Sequence, residues 1–253
     1  MHIEKYKRTA IGHMLAHYER NPQIYNTQEH INPELTKNNY RLGNDELTGF
    51  EKYKKILETP GLKILNRADI NTMVDVVLTL PKAEYFPQER AEEFFEVGYK
   101  FLLSKFCGGK EEFLISCYAH LDESQDRVVK GQPHIHFAFV PVIEHNDKLK
   151  VCAAKVINRQ LLQILHKEAN DHFLNHFGFD VGIINGATKE GSLTVPQLRE
   201  QTKKYNELVK INTELQNDNE QLKHELEHNM HNLKIWQDEE GITPNFNKTK
   251  ENR

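Results

Sequence analysis

The residues best placed to do chemistry lie in one stretch, HLDESQDRVVKGQPHIHFAFVPV, which runs from His120 to Val142. Side chains alternate faces along a strand, so His134 and His136 project from one face and Ile135, Phe137 and Phe139 from the other. Two imidazoles two residues apart can converge on a single ion. His120 ends the preceding apolar run, and the connector is of a length that lets that run pair antiparallel with residues 134–143. A third imidazole then comes alongside the first two. Three neutral nitrogen donors with coordination positions left open describe a catalytic metal site rather than a structural one. Asp122 and Glu123 follow His120 directly, and each can serve as an extra ligand or as an acceptor for an imidazole N–H. A lone histidine here would be an ordinary core residue; His-x-Asp-Glu followed by Pro-His-x-His on adjacent strands is not. Sugar-binding cupins also carry His-x-His on a strand, but they need a carboxylate shortly afterwards, where this chain has Phe139 and Val140.

The other histidines among the 14 carry less. His172 and His176 form an i, i+4 pair that can bind metal, yet nothing nearby supplies further ligands. His2, His145, His224, His228 and His231 read as solvated.

The elements that must position the three imidazoles begin at Met73. MVDVVLTL (Met73–Leu80) is a nearly continuous β-branched run punctuated by Pro81, which predicts a buried strand. Pro87 and the acidic turn after it start a helix over Glu89–Phe106 with an apolar stripe of Phe94, Phe95, Val97, Phe101 and Leu102. Phe113–Leu121 and His134–Ile143 predict two further strands, and Val156–Phe177 a long helix closed by Gly178. Met1–Arg67 is polar, with helix signals only in short stretches. The order predicts an α+β domain, an antiparallel sheet covered by helices.

From Leu198 to Trp236 there is no Gly or Pro, and the spacing is heptad. One seam holds Leu208, Leu215 and Leu222; the other holds Leu198, Tyr205, Asn212, Asn219, Leu226 and Leu233. Leu at one seam with Asn at the other is the pattern of a parallel two-stranded coiled coil, in which buried Asn fixes register. A single helix packed back on the domain is the alternative. The expected organisation is a catalytic domain over 1–196, a coiled-coil dimerisation helix over 197–236 and a disordered tail over 237–253.

Composition narrows the remaining choices. The chain has 253 residues, a net charge of −4 and a hydrophobic content of 38%. There is no overall basic excess to announce a nucleic-acid binder, so any basic groove must be local. Three widely spaced cysteines form neither a disulfide framework nor a zinc knuckle, which suits a reducing cytoplasm. No apolar run approaches the ~18 residues of a membrane span.

His-hydrophobe-His on a strand, the HUH motif, resembles the metal motif of relaxases and rolling-circle replication nucleases. The text HLDES with PHIHFAFVP resembles the MobV (Pre/Mob) family of plasmid mobilisation relaxases in particular. His17-Tyr18-Glu19-Arg20 resembles that family's first motif. Asn32-Pro33 with Asn39-Tyr40-Arg41-Leu42 resembles its second. The resemblance covers most of Met1 to about Gly178. One departure is the longer connector Gln125–Gln132, which puts Glu123 as a direct ligand in question.

The resemblance implies a metal-dependent endonuclease and strand transferase that nicks and rejoins one DNA strand at an origin of transfer on a plasmid. Mn²⁺ or Mg²⁺ would be held by His120, His134 and His136, and a side chain would stay bonded to the 5′ phosphate. By position that nucleophile is His17, with Tyr18 and Tyr40 as rivals. Arg20 would hold phosphate or stabilise developing charge, and Glu123 would assist. Lys5, Lys7, Arg8, Lys37, Tyr40 and Arg41 are the candidate DNA-lining residues. The implied partners are single-stranded or supercoiled plasmid DNA, a second copy of the chain and a conjugation coupling protein, in a bacterial cytoplasm. Two other classes stay open. A rolling-circle replication initiator would use an essential tyrosine. A non-enzymatic dimeric DNA-binding protein would hold zinc structurally.

Overall fold

Alternating apolar and polar residues in short runs build one antiparallel sheet in a computed structural model that describes residues 1–22, 31–44, 46–123, 131–146, 148–183, 195–239 and 241. Its strands are β1 (His2–Lys7), β2 (Tyr40–Leu42), β3 (Asn71–Thr79), β4 (Leu114–His120) and β5 (His134–Phe139), in the spatial order β1-β3-β5-β4-β2. The His-x-His strand β5 is central. Its register puts His134 opposite His120 on β4 and opposite Thr79 on β3, and His136 opposite Tyr118 and Val77.

Pleating gives the sheet two faces with different duties. On one, Val74, Val76, Leu78, Cys117, Ala119, Ile135, Phe137 and Phe139 pack under helices α3 (Ala91–Cys107) and α5 (Arg159–Phe177). These helices contribute Phe94, Phe95, Leu102, Leu165 and Phe173, which are almost fully buried. Burial of one such side chain contributes about 1.5–3 kcal/mol, so this layer carries most of the domain's stability. Gly98 marks the closest approach of α3 to the sheet, because a Cβ there would overlap the Leu78 side chain. On the opposite face, α1 (Arg8–Tyr18) and α2 (Gly49–Leu57) lay Ile11, Leu15, Tyr18, Tyr53 and Ile56 over Met73, Ile115 and Ala138. Thr48 and Glu51 cap α2 reciprocally, and the Glu19 carboxylate accepts the Gly49 N–H at 2.5 Å, tying the end of α1 to the start of α2.

Several boundaries differ from the sequence expectation. Among the described residues of the N-terminal 67 are two strands and two α-helices, more than the short helix signals implied; β1 is an edge strand whose charged alternation, HIEKYK, hid it. The expected strand His134–Ile143 ends at Phe139. Pro141 lacks the N–H a ladder needs, and the chain resumes as the separate hairpin of β6 (Val142–His145) and β7 (Lys148–Val151). The expected helix Val156–Phe177 divides into a short α4 (Ala153–Val156) and α5, which restarts when the Asn158 side chain caps the Leu161 N–H. Gly178 closes α5 with φ 78°, as its position implied.

The chain divides into two compact units, Met1–Gly186 and Ala187–Arg253. In the second, one helix, α6, runs from Val195 to Glu239. Leu208, Leu215, Leu222 and Leu226 on it are 55–64% exposed. The expected disordered tail lies almost wholly outside the described residues.

Candidate metal and nucleophile centre

The register alone brings His120, His134 and His136 onto one face of β4 and β5, and their ring centroids lie 5.0–5.5 Å apart. What decides their chemistry is where each ring sends its other nitrogen. His120 Nε2 lies 2.9 Å from the Tyr18 carbonyl, His134 Nδ1 3.1 Å from the Gln132 carbonyl, and His136 Nδ1 2.7 Å from Asp75 Oδ2. Carbonyls and a carboxylate only accept, so each ring donates its N–H outward and its remaining lone pair is fixed toward the common centre. His120 Nδ1 is buried there without a hydrogen-bond partner. A sealed ring lone pair of that kind costs stability unless an ion takes it, and the donor set fits a divalent cation.

Two more side chains join them. The ligand atoms of His17, His120, Glu123 and His136 all lie within 4.8 Å of one another, a little wider than bonds of about 2.0–2.2 Å to one ion span, so small side-chain shifts would close them on it. Glu123 is therefore in reach of the centre despite the long connector that precedes Pro133. Its Oε2 also lies 3.6 Å from His134 Nε2, which stands just outside that tight quartet. Burial opposes ionisation of Glu123. The facing His120 and His17 and the Arg20 guanidinium outweigh it and hold the carboxyl far below the ordinary carboxylate range.

His120, His17 and His134 stay neutral for the opposite reason. Burial pushes His120 down to about 4, and it lowers His17 and His134 against the pull of Glu123. Neutral imidazole is the form that ligates metal or attacks phosphorus.

His17 sits in the last turn of α1, 14% exposed at its side chain, with Nε2 3.3 Å from Glu123 Oε1. It stands edge-on to His120 and His136 at centroid distances of 5.5 and 5.7 Å. The next residue faces the core: Tyr18 stacks on His136 at 4.4 Å, is 1% exposed, and its phenol is held protonated, chiefly by burial. Tyr40 pairs with Ala119, on the face opposite the histidines, and its hydroxyl is buried.

Arg20 is placed as a brace. Its Nε and Nη2 donate to the two Asp122 oxygens at 3.0 and 2.8 Å, Nη2 donates to Glu123 at 2.8 Å, and Nη1 donates to the His17 carbonyl at 3.0 Å. These bonds hold it in a left-handed backbone conformation (φ 50°) that costs a non-glycine residue about 1–3 kcal/mol. With its donors so engaged, Arg20 braces Glu123 and His17; holding phosphate would require it to give up these bonds, whereas stabilising developing charge would not. The second motif acts on the same strut. Thr36 Oγ1 donates to Asp122 at 2.9 Å, the Asn32 N–H to the Asp122 carbonyl, and Asn39 Oδ1 accepts the Leu121 N–H at 2.8 Å.

The candidate DNA-lining residues scatter. Arg41 lies on the histidine face, its guanidinium 5.7 Å over Tyr118 and its Nη1 donating to the Leu47 carbonyl. Lys37 is exposed in the turn before β2. Lys5 projects from the helix-covered face and donates to the Ile157 carbonyl. Lys7 pairs with Asn71, six residues along β3 from the partner of His136, and Arg8 opens α1 nine residues before His17, so the two stand roughly 15–20 Å from the centre. Asp75 is the functional residue the sequence reading passed over; a lone carboxylate inside a β-branched run was its signal.

With this geometry in hand, comparison with known proteins is specific. Residues 1–196 match the family described as plasmid recombination enzyme, Mob_Pre. No functionally curated protein matches the chain. Among solved structures, the Mn-bound crystal structure of the MobM relaxase domain (MOBV; Mob_Pre) on 22-nucleotide pMV158 oriT DNA with a 3′ thiophosphate shares 23% identity. It aligns over 79% of this chain and 96% of that one with a TM-score of 0.60. The same domain on 26-nucleotide oriT DNA shares 20% identity over 78% and 97%, at 0.54. At these identities the likeness establishes the fold.

Proposed function

The chain belongs to the plasmid recombination enzyme (Mob_Pre) family, and from that premise we propose that it is a plasmid mobilisation relaxase. It nicks one DNA strand at an origin of transfer, stays bonded to the 5′ phosphate, and later rejoins the strand. The observation that carries the reading is the buried, partnerless His120 Nδ1 facing Glu123 and two further histidines whose tautomers are fixed from outside. His120, His134, His136 and Glu123 hold the ion, and three nitrogens in the set favour Mn²⁺ over Mg²⁺. A divalent ion bound there neutralises charge on the non-bridging oxygens of the scissile phosphate. His17, kept neutral, attacks phosphorus; a P–N bond forms, the P–O3′ bond breaks, and the proton on the imidazole's other nitrogen passes by way of solvent to the 3′ oxygen, which leaves as a hydroxyl that can reverse the step. Arg20 and Asp122 keep Glu123 and His17 at their stations.

Arg41 and Lys37 are the basic residues that line the strand in this reading; Lys5, Lys7 and Arg8 are not. No helix among the described residues is long and apolar enough to cross a membrane. The protein acts in the bacterial cytoplasm, where it hands its DNA to a conjugation coupling protein. Incubation with supercoiled plasmid carrying candidate origins and Mn²⁺ tests the reading. Open circles with protein attached at the 5′ end are expected, and intact supercoils at every candidate origin would refute it.

The exposed leucines of α6 pair it with a second copy, with Asn212 and Asn219 setting a parallel register. Removing residues 187–253 should turn a dimer into a monomer in sedimentation while oligonucleotide nicking persists. A full-length chain that sediments as a monomer at micromolar concentration overturns the coiled coil.

A further inference from the structure

Beside the metal centre lies a cavity of about 580 Å³ with no role in the chemistry so far described. Its walls are apolar: Leu35, Leu80, Ala83, Ala91, Leu121 and Pro133. Asn38, Lys82, Gln88 and Gln132 supply its polar groups. The cavity shares its wall with the centre. Leu121 and Pro133 are the chain neighbours of His120 and His134, and the Gln132 carbonyl is the acceptor that orients His134.

A cavity with apolar walls and a few amides suits a planar, polar-edged group, and a lysine in its lining suits a phosphate on that group's chain. The amides are not symmetric in what they offer. Gln88 Nε2 donates to the Pro81 and Phe86 carbonyls, both at 2.9 Å, and Gln132 Nε2 donates to the Leu80 carbonyl. Because carbonyls only accept, the NH₂ ends are fixed on backbone, and each glutamine has its Oε1 left as an acceptor. Pairing Gln88 to the backbone also stiffens the 81–88 wall, so the cavity is formed before anything enters it.

We propose that this cavity receives a single unstacked nucleobase of the cleaved strand, from a nucleotide adjoining the scissile phosphate. Two acceptor oxygens favour a base edge that carries an exocyclic amine, as adenine, cytosine and guanine do, over thymine. This rests on the relaxase reading and adds to it a residue-level account of sequence preference near the nick.

The test uses the full-length protein and single-stranded oligonucleotides spanning the nick site mapped with the wild type. One nucleotide at a time, within three of the nick, is made abasic or changed to thymine, and affinity and nicking are measured with Mn²⁺. One position should lose about ten-fold in affinity when abasic and about five-fold as thymine. Ala83→Phe, an exposed alanine enlarged into the slot, should bind intact DNA as weakly as wild type binds the abasic strand. It should then show no further loss on that strand. Ultraviolet crosslinking from 5-iododeoxycytidine at that position should map to residues 80–83 or 131–133 in the wild type and disappear in Ala83→Phe. Wild-type nicking with equal abasic penalties in both proteins, or a crosslink that maps elsewhere, overturns the cavity's role and leaves the relaxase reading standing. A wild type that nicks no origin overturns the relaxase reading, and the cavity's role falls with it.

Discussion

His136→Ala is expected to lower the nicking rate by roughly a thousand-fold or more, because it removes a nitrogen from the ion that neutralises the scissile phosphate. His134→Ala should do the same. The effect should be chemical rather than structural. The two rings project from one face of β5, while Ile135, Phe137 and Phe139 hold the strand to the core from the other, so both variants should keep a cooperative melt. Asp75 separates the ligand's presence from its orientation. It is 1% exposed, and its Oδ2 takes the His136 N–H at 2.7 Å. Asp75→Asn should retain His136 yet weaken Mn²⁺ binding by about 10–100-fold, with nicking recovered at high metal. Calorimetric titration with Mn²⁺ and nicking at limiting and saturating metal check all three. Wild-type nicking by either histidine variant at limiting metal would remove these residues from the site.

The second large effect concerns the covalent intermediate. If His17 is the nucleophile, the adduct on a single-stranded origin oligonucleotide is a phosphoramidate, which breaks in mild acid and survives mild base. A phosphotyrosine ester does the reverse in acid: it survives. His17→Ala should therefore form no adduct. Tyr18→Phe and Tyr40→Phe should form one, since Tyr18 is sealed against His136 and Tyr40 points to the far side of the sheet. Tyr18→Phe keeps the stacked ring and should change the rate little. An acid-stable adduct that vanishes in either tyrosine variant would move the nucleophile to that residue.

How much of this was legible in the sequence follows from the range of each interaction. The convergence of His134 and His136 is local, set by a period of two, and the pairing with His120 needs only an antiparallel hairpin. Both were readable. The salt bridge between Arg20 and Asp122 joins residues 102 positions apart, and no periodicity announces it. Without it, the sequence offers Arg20 to phosphate or to developing charge and not to the carboxylates it braces. The same holds for Tyr18, whose carbonyl and ring both serve the centre while its hydroxyl drew attention as a possible nucleophile. Lys5 and Lys7 looked like a basic approach to DNA. Only the register of β1 on β3 reveals that one faces the helices and the other stands at the far end of the sheet.

The pairing of His120 with His134 means that the chain leaves the sheet at one ligand and re-enters it at another, in register. The separation of those two metal donors is thus fixed by the ladder and is independent of how many residues lie between them. Closing a longer excursion costs little, about 0.6 kcal/mol for each doubling of its length, and that cost falls on loop entropy rather than on ligand geometry. The spacing of His120 and His134 therefore answers to the ladder, and a change in the number of residues between Glu123 and Gly131 would leave it as it is.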